Sequence, residues 1–217
     1  MPKGSQLLTA QRRDEIINAC ERLYAGMSFK EITLKEISRE TSFSRPSIYN
    51  YFQTKEEIFL ALFEREYERW IGDLEQILDG HDTLDKSSLA HELALSLERR
   101  KQLLKLLSMN HYDMEENSRL ELLTSFKVDF GRSMKTVGRI LEKFCSYMDA
   151  GERESFLYVF FPFIYGIYPY AIVTEKQSAA MKAAEVDYVY HSIYELAFMC
   201  ISKLLNINNN NIKGERK

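Results

Sequence analysis

Apolar side chains recur at three- and four-residue spacings along almost the whole chain. No stretch alternates apolar and polar residues between hairpin turns, so the pattern predicts helices nearly throughout. A first helix carries Ile16, Ile17, Cys20, Leu23 and Tyr24 on one face, with Thr9 as its candidate cap. Thr33, with Glu36 three positions on, has the capping-box pattern for a short second helix whose Leu34, Ile37 and Ser38 face inward. Ser44 can cap a third, with Pro46 in the first turn, where a missing N–H is harmless. Thr54 can cap a fourth, with Glu56 and Glu57 near its positive end, and the stripe Phe59, Phe63, Tyr67, Trp70, Leu74, Ile77 carries that helix to Asp79-Gly80.

Gly80–Ser87 is polar and reads as a linker. Beyond it the pattern predicts helices near 87–97, 99–111, 117–147, 151–174 and 180–205. The third of these has one stripe, Leu123, Phe126, Phe130, Met134, Val137, Leu141, Phe144. The last has two adjacent stripes, Val189–Ile193–Leu196–Cys200–Leu204 and Tyr190–Tyr194–Phe198–Ile201–Leu205, and so needs cover on more than one side. Residues 207–217 are polar and low in complexity, and are expected to be disordered. The fold class is therefore all-α, with about nine helices.

With 217 residues, 45% of them hydrophobic, the chain can bury one large or two modest cores. A net charge of −3 excludes a basic nucleic-acid coat, so any DNA contact must come from a local patch. Cys20, Cys145 and Cys200 lie far apart among apolar neighbours and read as buried free thiols in a reducing compartment. The first fifteen residues have no apolar core or cleavage pattern, which points to a cytoplasmic protein. Phe156–Val173 carries no charge over a near-membrane length. Its Pro162, Gly166, Pro169 and four tyrosines favour a buried helix facing both a core and a partner over a membrane span. The four histidines show no metal-ligand spacing, and neither a nucleophile elbow nor a phosphate-cradling glycine loop is present. No enzyme activity, cofactor or metal is expected.

The informative stretch is TLKEISRETSFSRPSIYNYFQTK, Thr33 to Lys55, two short capped helices separated by a few residues as in a helix-turn-helix. Helical angles sort the second of them. Ile48, Tyr51 and Phe52 fall on the inner side, Arg45, Pro46, Tyr49 and Asn50 on the outer. That outer face suits a DNA reader. Arginine can form bidentate bonds to guanine, Pro46 can meet a thymine methyl, Ser47 and Tyr49 can donate to phosphates, and Asn50 can serve a base or a phosphate. Ser44, at the cap, joins this set. Lys55, where the next helix begins, can hold a phosphate. The segment is only slightly basic, so affinity should come from two half-sites bound together. Lys3, Arg12 and Arg13 form either a mobile arm toward DNA or an exposed terminus.

The string SRPSIYNYFQTKEEIFLALFE closely resembles the signature of the TetR family of transcriptional regulators, over about residues 10–65. The resemblance implies that Thr33 and Lys35 contact DNA from the second helix. It further implies that Arg45, Pro46 and Ser47 lead the recognition helix, that Tyr49, Asn50 and Tyr51 form its aromatic run, and that Lys55 is the phosphate-binding lysine. The family usually has glycine where this chain has Ser28 and Ser42. Serine there implies either mild strain or a different local turn.

On this reading residues 1–55 form a helix-turn-helix DNA-binding domain, 54–79 a connecting helix, and 80–206 a ligand-binding and dimerisation domain. The resemblance implies a homodimer through the helices near 151–174 and 180–205, a palindromic double-stranded operator, and repression relieved by a small-molecule effector. Met109, Tyr112, Phe126, Phe130, Met134, Tyr165 and Tyr168 are the candidates to line the effector cavity, with plain core packing as the alternative for each. A protein of the same fold governed by a protein partner, or acting architecturally without an inducer, is the competing reading.

Overall fold

The computed structural model describes residues 3–109 and 111–206; the tail at 207–217 lies outside the described residues. Among the described residues the chain forms eleven helices and no strand. They are α1 (Lys3–Gly26), α2 (Leu34–Arg39), α3 (Arg45–Ile48), α4 (Lys55–Gly80), α5 (Lys86–Arg99), α6 (Lys101–Leu107), α7 (His111–Glu116), α8 (Leu120–Phe144), α9 (Ala150–Ala171), α10 (Glu175–Ala183) and α11 (Ile193–Leu204). The all-α expectation holds, with eleven helices in place of about nine.

Three boundaries differ from the sequence pattern. The first helix starts at Lys3, not after Thr9, so Thr9 lies inside α1 and Arg12 and Arg13 belong to a helix rather than to a mobile arm. The helix expected at 99–111 is the shorter α6, and α7 covers 111–116, most of which the pattern leaves as a connection. The expected helix at 180–205 breaks. α10 ends in a left-handed residue, Glu185 (φ 53°), with Val186 N–H bonded to Met181 O at 3.1 Å, the Schellman pattern that terminates helices. Ser192 then starts α11 with a reciprocal capping box to Glu195. Val189 and Tyr190, assigned to the last helix by periodicity, are in the non-helical connection.

The chain forms two compact units. The first comprises the described residues up to Glu68 together with those from 111 to 130; the second comprises Arg69–Met109 with Gly131 onward, so α4 and α8 each contribute to both. In the first unit, Ile16, Ile17, Cys20 and Tyr24 of α1 are buried with Ile37, Ile48 and Phe52. Aromatic edges close the core: Tyr24 and Phe29 both meet Phe59, at 5.1 and 4.8 Å between centroids, and Phe126 meets Phe63 at 5.1 Å. In the second unit, α5 packs along α11, and α9 packs against α6 and α11. Trp70 is fully buried, donates its indole N–H to Ser96 Oγ at 3.1 Å and lies against Phe160 and Phe161.

No single described helix is long and apolar enough to cross a membrane; α9 and α10 pass such a test only as a pair bent by 82°. Pro162 and Pro169 sit on the exposed side of an unbroken α9. Cys20 and Cys145 are buried free thiols as expected, whereas Cys200 is only half-buried. Burial pushes the Cys200 thiol up to about 11 and Cys20 further still.

Candidate DNA-binding site

The helix-turn-helix begins at Thr33. It is extended, and its hydroxyl oxygen accepts from the backbone of Lys35 and Glu36 at 3.2 and 3.4 Å, which satisfies two N–H groups that α2 leaves open. Ile37 on α2 and Ile48 on α3 are fully buried, so the two short helices share one inner side. After Ile48 the chain continues in tight turns, with Tyr51 N–H and Phe52 N–H both bonded to Ile48 O. This brings Phe52 into the core and ends the reader within one and a half turns.

The outward face is as the helical angle predicts. Arg45, Pro46, Tyr49 and Asn50 are exposed, and Ser47 is half-buried beside them. Arg45 Nη2 donates to Tyr49 Oη at 3.2 Å across one helical turn, and among the described residues no carboxylate pairs with it. Lys35 and Thr33 are exposed on α2. Ser44 occupies the N-cap of α3 as expected, but its side chain makes no cap bond; its Oγ lies 3.2 Å from Ser47 Oγ. Tyr51 is half-buried and leans on Phe43, with centroids 6.3 Å apart, so it stands apart from the outward set.

Lys55 is committed inward. Its ammonium donates to Phe29 O at 2.9 Å and Ile32 O at 3.3 Å, and lies 4.0 Å from the centre of the Phe29 ring. Two of its three donors therefore hold the α1–α2 connection. Arg13, a candidate for a DNA-reaching arm, is instead paired with Glu64 at 3.7 Å and lies 5.3 Å from the centre of the Phe52 ring.

The two serines that replace the usual glycines take a different turn rather than a strained one. Among the described residues other than glycine, only Glu185 and Asn206 have positive φ. Each serine is held by a glutamate. Ser28 N and Oγ both donate to Glu31 at 2.7 Å, and Ser42 N and Oγ donate to Glu15 at 2.5 and 3.1 Å.

Behind the reader, the start of α4 carries an ion pair that the sequence pattern does not reveal. Glu57, 1% exposed, accepts from Gln53 N at 2.7 Å, from Arg119 N at 3.3 Å, and from Arg119 Nε and Nη2 at 2.7 and 2.9 Å. Burial pushes its carboxyl up, but the Arg119 guanidinium and the two backbone N–H groups outweigh that and hold it below the ordinary value. Thr54 Oγ1 caps Glu57 N at 3.2 Å and donates to Asn117 O at 2.8 Å, so the loop before α8 is pinned to the start of α4. Partners 62 residues apart leave no local signal.

The effector candidates divide between the two units. Phe126 is buried against Phe63 and Tyr67, Phe130 is half-buried near Tyr67, and Tyr112 is 77% exposed, all in the first unit. Met109, Met134, Tyr165 and Tyr168 are half-buried in the second, where burial raises the Tyr168 phenol. Two cavities of the second unit take other residues. One of about 480 Å³ lies beside Asp149, Phe156 and Leu204; another of about 410 Å³ is lined by His81, His91 and Tyr194.

Comparison with known proteins agrees with this architecture. Residues 16–62 match the family of bacterial regulatory proteins, tetR family, and residues 64–191 match the tetracyclin repressor-like C-terminal domain. The HTH-type transcriptional repressor Rv1474c of Mycobacterium tuberculosis is 27% identical over 106 residues, 45% of this chain and 57% of that protein. The nucleoid occlusion factor SlmA of Aliivibrio fischeri is 32% identical over 111 residues, 50% of this chain and 57% of that protein. The chain thus spans a little over half the length of these relatives. Among solved structures, the fatty acid degradation regulator FadR of Bacillus halodurans superposes with a TM-score of 0.56 at 15% identity, covering 89% of this chain and 94% of that one. FadR of Bacillus subtilis in complex with stearoyl-CoA superposes at 0.57 and 17%, covering 88% and 96%.

Proposed function

The chain belongs to the TetR family of bacterial regulatory proteins, and on that premise we propose that it represses transcription as a homodimer on a palindromic operator and is released by a small-molecule effector. The observation that carries the reading is α3 itself. Ile48 and Phe52 are fully buried, while Arg45, Pro46, Tyr49 and Asn50 stand clear on the opposite side, a face sized for the major groove. Arg45 and Asn50 read bases; Ser44, Ser47, Thr33 and Lys35 position the backbone. Tyr49 steadies Arg45. Lys55 gives its one uncommitted donor to a phosphate while its other two hold the α1–α2 connection. The site of action is the cytoplasm, where such an operator is found.

A homodimer explains the apolar residues that one copy leaves in water. Tyr158, Val159, Tyr170 and Ile172 along α9 and its end, with Met199 on α11, are large hydrophobic side chains left exposed. A two-fold partner covers them and doubles the half-sites, which a weakly charged reader needs. The effector is proposed to contact the half-buried Met109, Met134, Tyr165 and Tyr168. A neighbour of the same fold, FadR of Bacillus subtilis, holds a small molecule, stearoyl-CoA. The likeness to SlmA, named for nucleoid occlusion and not for an effector, keeps a second reading, in which a protein partner or an architectural role replaces the effector.

Selection of bound duplexes from a random pool, repeated with candidate effectors, tests the proposal. A two-fold symmetric sequence whose binding an effector weakens is the expected result. Enrichment of no palindrome would overturn the repressor reading, and a palindrome insensitive to every effector would favour control by a protein partner.

A further inference from the structure

The turn between α2 and α3 hangs from α1 by two side chains that take no part in the outward face of α3. Glu15 and Arg22 lie seven residues apart on α1, two helical turns, and so share one side of it. Arg22 Nη2 donates to the carbonyl of Glu40, the C-cap of α2, at 3.0 Å, and its Nε lies 3.7 Å from the Glu40 carboxylate. A cation there satisfies a carbonyl that the helix end leaves open. Glu15 reaches two positions further and takes both donors of Ser42, N–H at 2.5 Å and Oγ–H at 3.1 Å.

A glycine in a left-handed conformation would close such a turn by backbone preference alone. Ser42 does not enter that region. The direction in which the chain leaves α2 is therefore set by what holds the turn from outside. The Thr41 hydroxyl, within 3.0 Å of Ser38 O and 3.1 Å of Phe43 O, ties the turn only to itself. Among the described residues, the hydrogen bonds that tie residues 40–42 to α1 are those from Glu15 and Arg22.

We propose that Glu15 and Arg22 are positioning residues for the reader: they fix the α2–α3 turn, hence the direction in which Arg45 and Tyr49 leave α3, and thereby set operator discrimination without touching DNA. The inference rests on the DNA-binding reading above. For Glu15 it makes a prediction opposite in sign to simple electrostatics. Removing the Glu15 charge lowers repulsion from phosphates and by itself tightens binding to every duplex. A loosened turn has to be re-ordered on the operator, which weakens specific binding alone.

The full chain, wild type and with Glu15→Gln, Arg22→Gln or Ser42→Ala, is titrated against the duplex that wild type enriches from a random pool and against a scrambled duplex of equal length. Amide hydrogen exchange over residues 40–44 is followed without DNA. For Glu15→Gln and Arg22→Gln, binding to the enriched duplex falls about threefold to tenfold, the size expected for one or two surface bonds. Binding to the scrambled duplex is unchanged or tighter with Glu15→Gln, and the Ser42 amide exchanges faster. Ser42→Ala, which keeps its N–H, gives a smaller loss. Equal tightening on both duplexes, or unchanged exchange at Ser42 in Glu15→Gln, overturns the proposal. If wild type enriches no duplex, the DNA-binding reading falls, and the exchange measurement by itself decides whether Glu15 holds the turn.

Discussion

Removing Arg119 tests the ion pair behind the reader, and its size can be worked from the geometry. Arg119→Ala deletes two charge-assisted bonds to Glu57, at 2.7 and 2.9 Å, and leaves those from Gln53 N and the backbone of residue 119. Two such bonds, fully buried, would contribute about 3–6 kcal/mol together. The Arg119 side chain is 43% exposed although Glu57 is 1% exposed, so water screens the pair and rehydrates the guanidinium on unfolding. Discounting for that leaves about 2 kcal/mol, roughly 30-fold in the folding equilibrium.

The pH dependence sharpens the test. Glu57 is held below its ordinary value of 4.5, so the pair adds stability above that pH and loses it as pH falls through the depressed folded value. In Arg119→Ala, burial acts with less opposition and that acid-side loss shrinks. Urea denaturation followed by circular dichroism, at one protein concentration, should show a gap of about 2 kcal/mol between wild type and variant at pH 7 that closes below pH 4.5. A gap under about 0.5 kcal/mol at pH 7, the ordinary range of surface substitutions, refutes the reasoning. So does a gap that persists unchanged into acid.

Three further outcomes are expected. Arg45→Ala should weaken operator binding by about 1–3 kcal/mol and relax preference at one base pair per half-site; equal loss on every base-pair variant in competition assays would make it a phosphate contact. Lys55→Ala should weaken binding and also lower folding stability by about 1–2 kcal/mol, because Phe29 O and Ile32 O lose their donor. A flattened salt dependence with an unchanged thermal midpoint would show a phosphate role alone. Val159→Asp, at a position 51% exposed on α9, should shift the protein from dimer to monomer in sedimentation and reduce operator affinity while the helical content stays the same; an intact dimer would move the interface off α9.

How much was legible in the sequence depends on the range over which each feature is specified. The reader was legible because helical angle alone separates Ile48 and Phe52 from Arg45, Pro46, Tyr49 and Asn50, and the structure keeps that separation. The break between α10 and α11 was legible in part. Ser192 and Glu195 form a capping box readable three residues apart, but the apolar periodicity of Val189 and Tyr190 ran across it and concealed it. The effector candidates were the least legible. Stripes at helical spacing mark core and cavity alike, and Phe126 is buried against Phe63 and Tyr67.

The sequence by itself determined the helical class, the Thr33 cap of α2 and the outward face of α3, because caps, periodicity and helical angle act within a few residues. Only the tertiary structure decided what the charged side chains around the reader do. Lys55 turns inward to two carbonyls, Arg13 pairs with Glu64, Glu15 holds Ser42 across 27 residues, and Arg119 reaches Glu57 across 62. A flexible charged side chain carries no period, and its partner is chosen by whichever opposite charge or open carbonyl the folded backbone brings within reach.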